Sequence, residues 1–162
     1  KGMPDWTFGL NFNAEWKGFD FMMFWQGTAG NDVFDATMRV DKNNQNLPSW
    51  MLGRWTGEGT SNSIPRFVFG NTSNLVSSDL YVNDASYLRL KNISLGYTLP
   101  KSITRKFFVD NLRVYVMAEN LVTFTKYHGY DPEISSGGTS LGVDWGVYPQ
   151  ARTWTVGFNL GF

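Results

Sequence analysis

The fold is decided by residues 5–27, which read DWTFGLNFNAEWKGFDFMMFWQG. In the first half of this stretch, every even position from Trp6 to Trp16 is apolar, and the odd positions are polar or glycine. Strict alternation places the apolar side chains on one face of a β-strand. Residues 17–18 then predict a two-residue hairpin turn, and residues 19–27 predict its returning strand. In that register apolar residues face apolar residues, and a slip of one position would destroy the match.

Three further stretches show the same alternation, which brings the number of long strands to five. The predicted strands are residues 5–16, 19–27, 87–99, 112–124 and 151–162. The phase is disturbed at the start of the third strand, where Arg89 and Lys91 fall on the apolar side. Either a β-bulge shifts the alternation there, or the two cations reach a polar interface.

Alternation alone also fits a soluble β-sandwich, which has one apolar face as well. The strand length favours a membrane barrel, because about 12 residues at roughly 3.3 Å each, tilted by about 40°, span on the order of 30 Å. The connections alternate between short and long, and the long ones, residues 28–86 and 125–150, are expected on the external side. Five strands are too few to close such a barrel, so we expect a segment of a larger one.

One face of these strands is therefore expected to contact lipid. The residues predicted to face lipid are Phe8, Phe12, Phe21, Met23, Ile93, Leu95, Val114, Val116, Val156 and Phe158.

The composition argues against several other classes of function. The chain has 14 Lys+Arg and 14 Asp+Glu, so neither nucleic-acid binding nor a polybasic membrane patch is expected as its main role. It has no Cys and one His, which excludes disulfides, thiolate zinc and two-histidine metal sites. An EF-hand at residues 41–46 is not favoured, because the sixth position is Asn46 rather than Gly. No catalytic pair stands at a recognisable spacing, so we expect no enzymatic activity and no cofactor.

Three segments in the second half carry a family resemblance. They are residues 86–100 (SYLRLKNISLGYTLP), 111–133 (NLRVYVMAENLVTFTKYHGYDPE) and 148–162 (YPQARTWTVGFNLGF). In this order and spacing they resemble the last part of SusC/RagA-type TonB-dependent outer-membrane transporters. Glu119 stands where that family often carries Gln, which changes nothing structural. Residues 1–85 resemble the family only as generic barrel and loop.

The resemblance implies a 22-stranded all-β antiparallel barrel with an internal plug, of which residues 1–162 would be the C-terminal part with the last five strands. It further implies location in the bacterial outer membrane and import of glycans or peptides. The implied partners are the rest of the barrel and the plug, a SusD-like surface lipoprotein as lid, TonB acting on the whole protein, and membrane lipid. On the residues alone, a soluble β-domain that binds carbohydrate through loop tryptophans stays open as the alternative.

Two sets of residues are candidates for specific roles. Trp50, Trp55 and Trp145 lie in the long loops, where aromatic rings can stack on sugars or contact a lid, or simply pack within the loop. The alternating run Trp154, Val156, Phe158, Leu160 and Phe162 resembles the signal read by the barrel-assembly machinery, although a lipid-facing strand would look the same. Asp131 and Glu133 lie in a turn containing Gly and Pro, which explains them without a bound cation.

Overall fold

The principal element of the computed structural model is one antiparallel sheet of five long strands. The structure describes residues 1–38, 46, 49–68, 70, 73–134 and 141–162. In chain order the strands are β1 (Trp6–Trp16), β2 (Phe19–Ala29), β3 (Asp32–Asp35), β4 (Val82–Asp84), β5 (Tyr87–Thr98), β6 (Asn111–Thr125), β7 (Val143–Asp144) and β8 (Thr153–Gly161). The all-β antiparallel fold class is confirmed.

Helical structure is confined to short pieces. These are α1 (Lys101–Thr104) and the 3₁₀ turns Ser49–Gly53, Ser73–Leu75, Asp79–Tyr81 and Arg105–Phe107. Among the residues that the structure describes, no helix is both long and apolar enough to cross a membrane.

The long strands follow the order β1-β2-β5-β6-β8, and each pairs antiparallel with its neighbour. A second, three-stranded sheet has the order β4-β3-β7, in which β3 and β7 run parallel. The sequence predicts only long loops in the region of β3, β4 and β7. The strands also end slightly differently from the expectation: β2 continues to Ala29, because Ala29 still pairs with Trp6.

The β1–β2 hairpin has the register that the apolar pattern predicts. Trp16 lies opposite Phe19, and the ladder continues to the outer ends of both strands. Lys17 and Gly18 both have positive φ, 49° and 87°, as a tight two-residue hairpin turn requires. A side chain on Gly18 would also approach the Thr98 carbonyl oxygen to 2.8 Å, so glycine is needed there.

The disturbed phase at the start of β5 is a β-bulge. The β2–β5 register shifts between Phe24 and Trp25, and Lys91 is the β5 residue that falls outside the ladder. The bulge returns Leu90 to the apolar face and leaves Arg89 on the opposite, polar face. The bulge and the polar interface, which the sequence offers as alternatives, therefore occur together.

Buried apolar side chains lie both within the sheet of long strands and beside it. Tyr87, Leu90 and Ala118 are buried within the sheet. A separate cluster of Val33, Ala85 and Tyr127 lies where β3 and the segments next to β5 and β6 meet. The apolar face of the long strands stays open: Val156 is 77% exposed, and Phe158 is exposed beside it. In the part of the chain that the structure describes, the long strands contact one another but no second sheet. A soluble sandwich would bury this face, so the open face favours a barrel wall in contact with lipid.

We predict that Val156→Arg destabilises the complete barrel by about 2–4 kcal/mol, because an arginine near the bilayer midplane is costly on the lipid-facing side. Thr155→Arg is the matched control on the opposite face of β8 and should cost much less. Unfolding in urea from lipid vesicles measures both free energies. Equal losses would contradict the assignment of Val156 to lipid.

Candidate functional site

A buried ionic cluster joins the N-terminal end of β5 to the segment that follows β6. The Arg89 guanidinium lies 2.6 Å from the Asp131 carboxylate, and the two side chains are only 4% and 3% exposed. Arg89 also donates from Nη1 to Glu133 (2.8 Å) and from Nε to the Thr123 hydroxyl (2.8 Å). The guanidinium is thus held in one orientation by three different side chains.

Lys91 completes the cluster. Its ammonium donates to both carboxylate oxygens of Glu133, at 2.8 and 2.6 Å. Two cations two residues apart, Arg89 and Lys91, thus meet two acids two residues apart, Asp131 and Glu133. We call these four residues the ionic clasp. Charges buried in this way are tolerated only when they are paired and hydrogen-bonded, and the clasp meets that condition.

Asp131 is the centre of the clasp. Its Oδ1 also accepts the Glu133 backbone N–H (2.9 Å), and its Oδ2 accepts the Gln150 backbone N–H (2.9 Å). Burial by itself would raise the pKa of this carboxyl, but the hydrogen bonds from Arg89 and the two amides outweigh burial and hold the pKa below its usual value. The ionised carboxylate therefore ties together β5, the turn around residue 131 and the approach to β8.

A second buried anchor holds the same loop system. The Tyr127 hydroxyl donates to Asp144 Oδ2 at 2.5 Å, and Asp144 Oδ1 accepts the backbone N–H groups of Gly146 (2.8 Å) and Val147 (3.0 Å). Burial, together with this bond to a carboxylate, raises the pKa of Tyr127, so the phenol stays protonated and keeps donating. The segment 144–150 is thus fixed at both ends, by Asp144 and by Asp131.

The three candidate tryptophans do not form one platform. Trp50 makes an edge contact with Phe67 (centroids 6.5 Å apart), and Trp55 lies under the Arg66 guanidinium (5.9 Å), so both rings are partly covered by their own loop. Trp145 is 71% exposed on the anchored segment 144–150. In the described part of the chain, no ring contact joins any two of these tryptophans.

The candidate assembly signal lies along β8 and at the residue after it. The side chains of Trp154, Val156, Phe158, Leu160 and Phe162 are exposed, as an alternating apolar row on an uncovered face would be. Their role in barrel assembly stays a prediction.

The sequence analysis singles out all four residues of the ionic clasp but does not predict that they pair. Arg89 and Lys91 attract notice by falling out of phase, and Asp131 and Glu133 by their place in a turn, but 42 residues separate Arg89 from Asp131. The cations that Asp131 and Glu133 bind are these two side chains. Among the described residues, no group of three or more His, Cys, Asp or Glu could hold a metal ion. Of residues 41–46, where the sequence does not favour an EF-hand, residues 41–45 lie outside the described residues.

The polar face carries a second ion pair near the opposite end of the sheet. Arg113 of β6 donates from Nε and Nη2 to the two oxygens of Asp20 on β2, at 2.9 and 2.5 Å. The pair crosses β5 directly over Gly96, where an added Cβ would approach Asp20 to 2.4 Å. A glycine in the middle strand is therefore required for the two side chains to meet.

Long antiparallel strands with one open apolar face and one polar face carrying ion pairs define a fragment of a transmembrane β-barrel. No family model matches the chain. TonB-dependent receptor P3 of Formosa agariphila is 36% identical over an alignment of 167 residues that covers 98% of this chain and 16% of that receptor. The TonB-dependent receptor SusC of Bacteroides thetaiotaomicron is 30% identical over an alignment of 165 residues that covers 100% of this chain and 16% of SusC.

The solved structures agree with these relatives. The RagAB peptide importer in its closed-closed state matches 99% of this chain and 18% of the importer chain, with a TM-score of 0.78 and 30% identity. The chain thus spans less than a fifth of the length of the proteins that it matches. It belongs to the SusC/RagA-type TonB-dependent transporters, as the resemblance of residues 86–100, 111–133 and 148–162 implies, and these are outer-membrane proteins of Gram-negative bacteria. The relatives are transporters and receptors rather than enzymes, and the soluble carbohydrate-binding alternative is not favoured.

We predict that Asp131→Asn loosens the loop system, because it leaves the buried Arg89 guanidinium with incomplete compensation. Removing one partner of a buried pair costs about 3 kcal/mol, so the amides of residues 143–150 should exchange hydrogen on the order of 100-fold faster. Asp79→Asn, which changes an exposed carboxylate, is the control and should leave exchange unchanged. If both variants exchange alike, the clasp does not hold the loop.

Proposed function

We propose that the complete protein imports glycans or peptides across the outer membrane with energy from TonB, and that residues 1–162 supply part of its barrel wall and two of its external loops. The observation that carries this proposal is the match of 99% of the chain to the RagAB peptide importer. The relatives named as TonB-dependent receptors support the dependence on TonB. The substrate is given as a class because selectivity depends on surfaces that lie mostly outside this segment.

The two long connections are the proposed external loops, with residues 28–86 and 125–150 helping to frame the entrance. Their internal order supports this role, since the small sheet, the ionic clasp and the Tyr127–Asp144 anchor all lie in or beside them. Loops held in one position can present a defined surface to a substrate or to a SusD-like lid. The polar face, with its Asp20–Arg113 pair, would line the lumen and face the plug.

Trp145 is the strongest candidate for contact with substrate or lid. It projects from a segment fixed by Asp144 and Asp131, so little ordering entropy would be lost when a partner binds. Trp50 and Trp55 already contact Phe67 and Arg66, which supports a packing role for them within their own loop.

Uptake assays in cells test the proposed function directly. Loss of TonB should abolish uptake by the complete protein. Trp145→Ala should weaken uptake, or binding of the lid, by about 2- to 10-fold, the value of one aromatic contact. Trp6→Ala removes a tryptophan of nearly equal exposure, 73% against 71%, from the lipid-facing row and should leave uptake unchanged. Uptake that persists without TonB would refute the proposal.

Cysteine labelling tests the orientation. The chain has no cysteine of its own, so Trp145→Cys and Lys17→Cys each introduce one site in this segment. A reagent that cannot cross the outer membrane should label residue 145 in intact cells that lack the lid lipoprotein, and should not label residue 17. The reverse pattern would invert the proposed topology.

A further inference from the structure

The connection between β5 and β6 lies at the end of the sheet opposite the clasp. The Thr98 backbone N–H donates to the Gly18 carbonyl oxygen (2.7 Å), which places the start of this connection beside the β1–β2 turn. At its other end, the Asp110 N–H donates to the Gly161 carbonyl oxygen (2.8 Å), at the close of β8. We call residues 99–110 the basal turn. It lies at the same end of the sheet as the β1–β2 turn and the end of β8.

The basal turn exposes the aromatic rings of two consecutive residues. Phe107 is 72% exposed and Phe108 is 92% exposed. Phe108 has a φ of 58°, a left-handed conformation that is uncommon for a bulky residue. Ile103 is also exposed on the same turn. The left-handed conformation ends the 3₁₀ turn, where the Phe108 N–H donates to the Arg105 carbonyl oxygen (3.3 Å). The exposure of three large apolar side chains on one short turn points to an apolar partner outside this chain.

The same turn concentrates positive charge. Lys101, Arg105 and Lys106 are all exposed, against one acidic residue, Asp110. In the part of the chain that the structure describes, no salt bridge engages any of the three cations. The chain as a whole is neutral, so this local excess is not a consequence of composition. A partner of complementary charge must therefore be anionic.

The lipid-facing surface continues to this level. Trp16 and Phe19 lie next to the hairpin turn and Phe162 lies just beyond β8, and all three rings are exposed. Aromatic rows of this kind mark the boundary between hydrocarbon and headgroups in outer-membrane barrels. The basal turn thus lies at the boundary between the hydrocarbon of the membrane and the phosphates of the lipid headgroups.

We propose that the basal turn binds anionic phospholipid at the inner leaflet of the outer membrane. Phe107 and Phe108 insert at the acyl boundary, while Lys101, Arg105 and Lys106 contact the phosphates. An interfacial segment with aromatic residues beside Lys and Arg has this binding mode, and long cationic side chains reach the headgroups from an apolar position. The proposal rests on the membrane orientation given above, but not on what is imported.

The insertion is tested with the complete protein in lipid nanodiscs, with an environment-sensitive fluorophore on Phe108→Cys. Nitroxide-labelled lipid should quench the fluorophore, and more strongly with phosphatidylglycerol present than with phosphatidylethanolamine alone. Phe107→Cys provides a second position if the first variant does not fold. A fluorophore that is quenched from water and not from lipid, in either lipid composition, would overturn the proposal.

The charge requirement is tested by counting phosphatidylglycerol retained on the purified protein by native mass spectrometry. Each cation should contribute on the order of fivefold in lipid affinity at low salt, so the triple variant K101Q/R105Q/K106Q should lose most of the bound lipid. The control R54Q/R66Q/R152Q removes three cations from the other end of the sheet and should retain it.

Equal retention in both triple variants would overturn the proposal. A fluorophore protected in intact cells but open to water in nanodiscs would do so as well, because it would indicate a periplasmic protein on the turn. Neither readout involves uptake, so a failed transport assay leaves the lipid test unaffected.

Discussion

The alternation of side chains along β5 is the constraint on which the rest of the structure depends. Leu90 lies opposite Trp25 and Ile93 lies opposite Met23, so both are on the apolar face of the sheet. They are separated by an odd number of positions, so a regular strand would place them on opposite faces. The bulge at Lys91 removes this conflict by adding to β5 one residue that has no partner in the ladder with β2. The same change of phase leaves Arg89 on the polar face and gives Lys91 access to the acids of the loop.

The ionic clasp follows from that placement. A buried guanidinium is costly without partners, and Asp131 and Glu133 supply them from a distant part of the chain. Such a buried ion pair adds little net stability compared with apolar packing, but it accepts only one geometry. The apolar cluster beside the loops is small, consisting of Val33, Ala85 and Tyr127. The loops therefore depend on the geometry of the clasp and on the Tyr127–Asp144 bond for a defined position.

The two ends of the sheet differ in chemistry although the chain is neutral overall. At the end that carries the ionic clasp, Arg89 is buried and Lys91 is partly buried, and both are paired with acids, so their charges are already neutralised. At the opposite end, Lys101, Arg105 and Lys106 are exposed and the aromatic rings next to them are uncovered. Net charge describes neither end, because pairing and burial decide which charges a partner can contact.

The sequence by itself determined the long strands and the hairpin register at residues 17–18, because period-2 alternation and turn residues are local signals carried within each segment. The family was indicated separately, by the resemblance of residues 86–100, 111–133 and 148–162. Tertiary structure alone decided that Arg89 meets Asp131, that β3 pairs with β7, and that Trp145 is exposed while Trp50 packs against Phe67. Local periodicity marks Arg89 and Lys91 as out of phase, but it does not identify their partners, because pairings between residues separated by 40 or more positions are not specified within one segment. They depend on where the sheet brings distant segments together, and that follows from the bulge and the strand order rather than from any single stretch of residues.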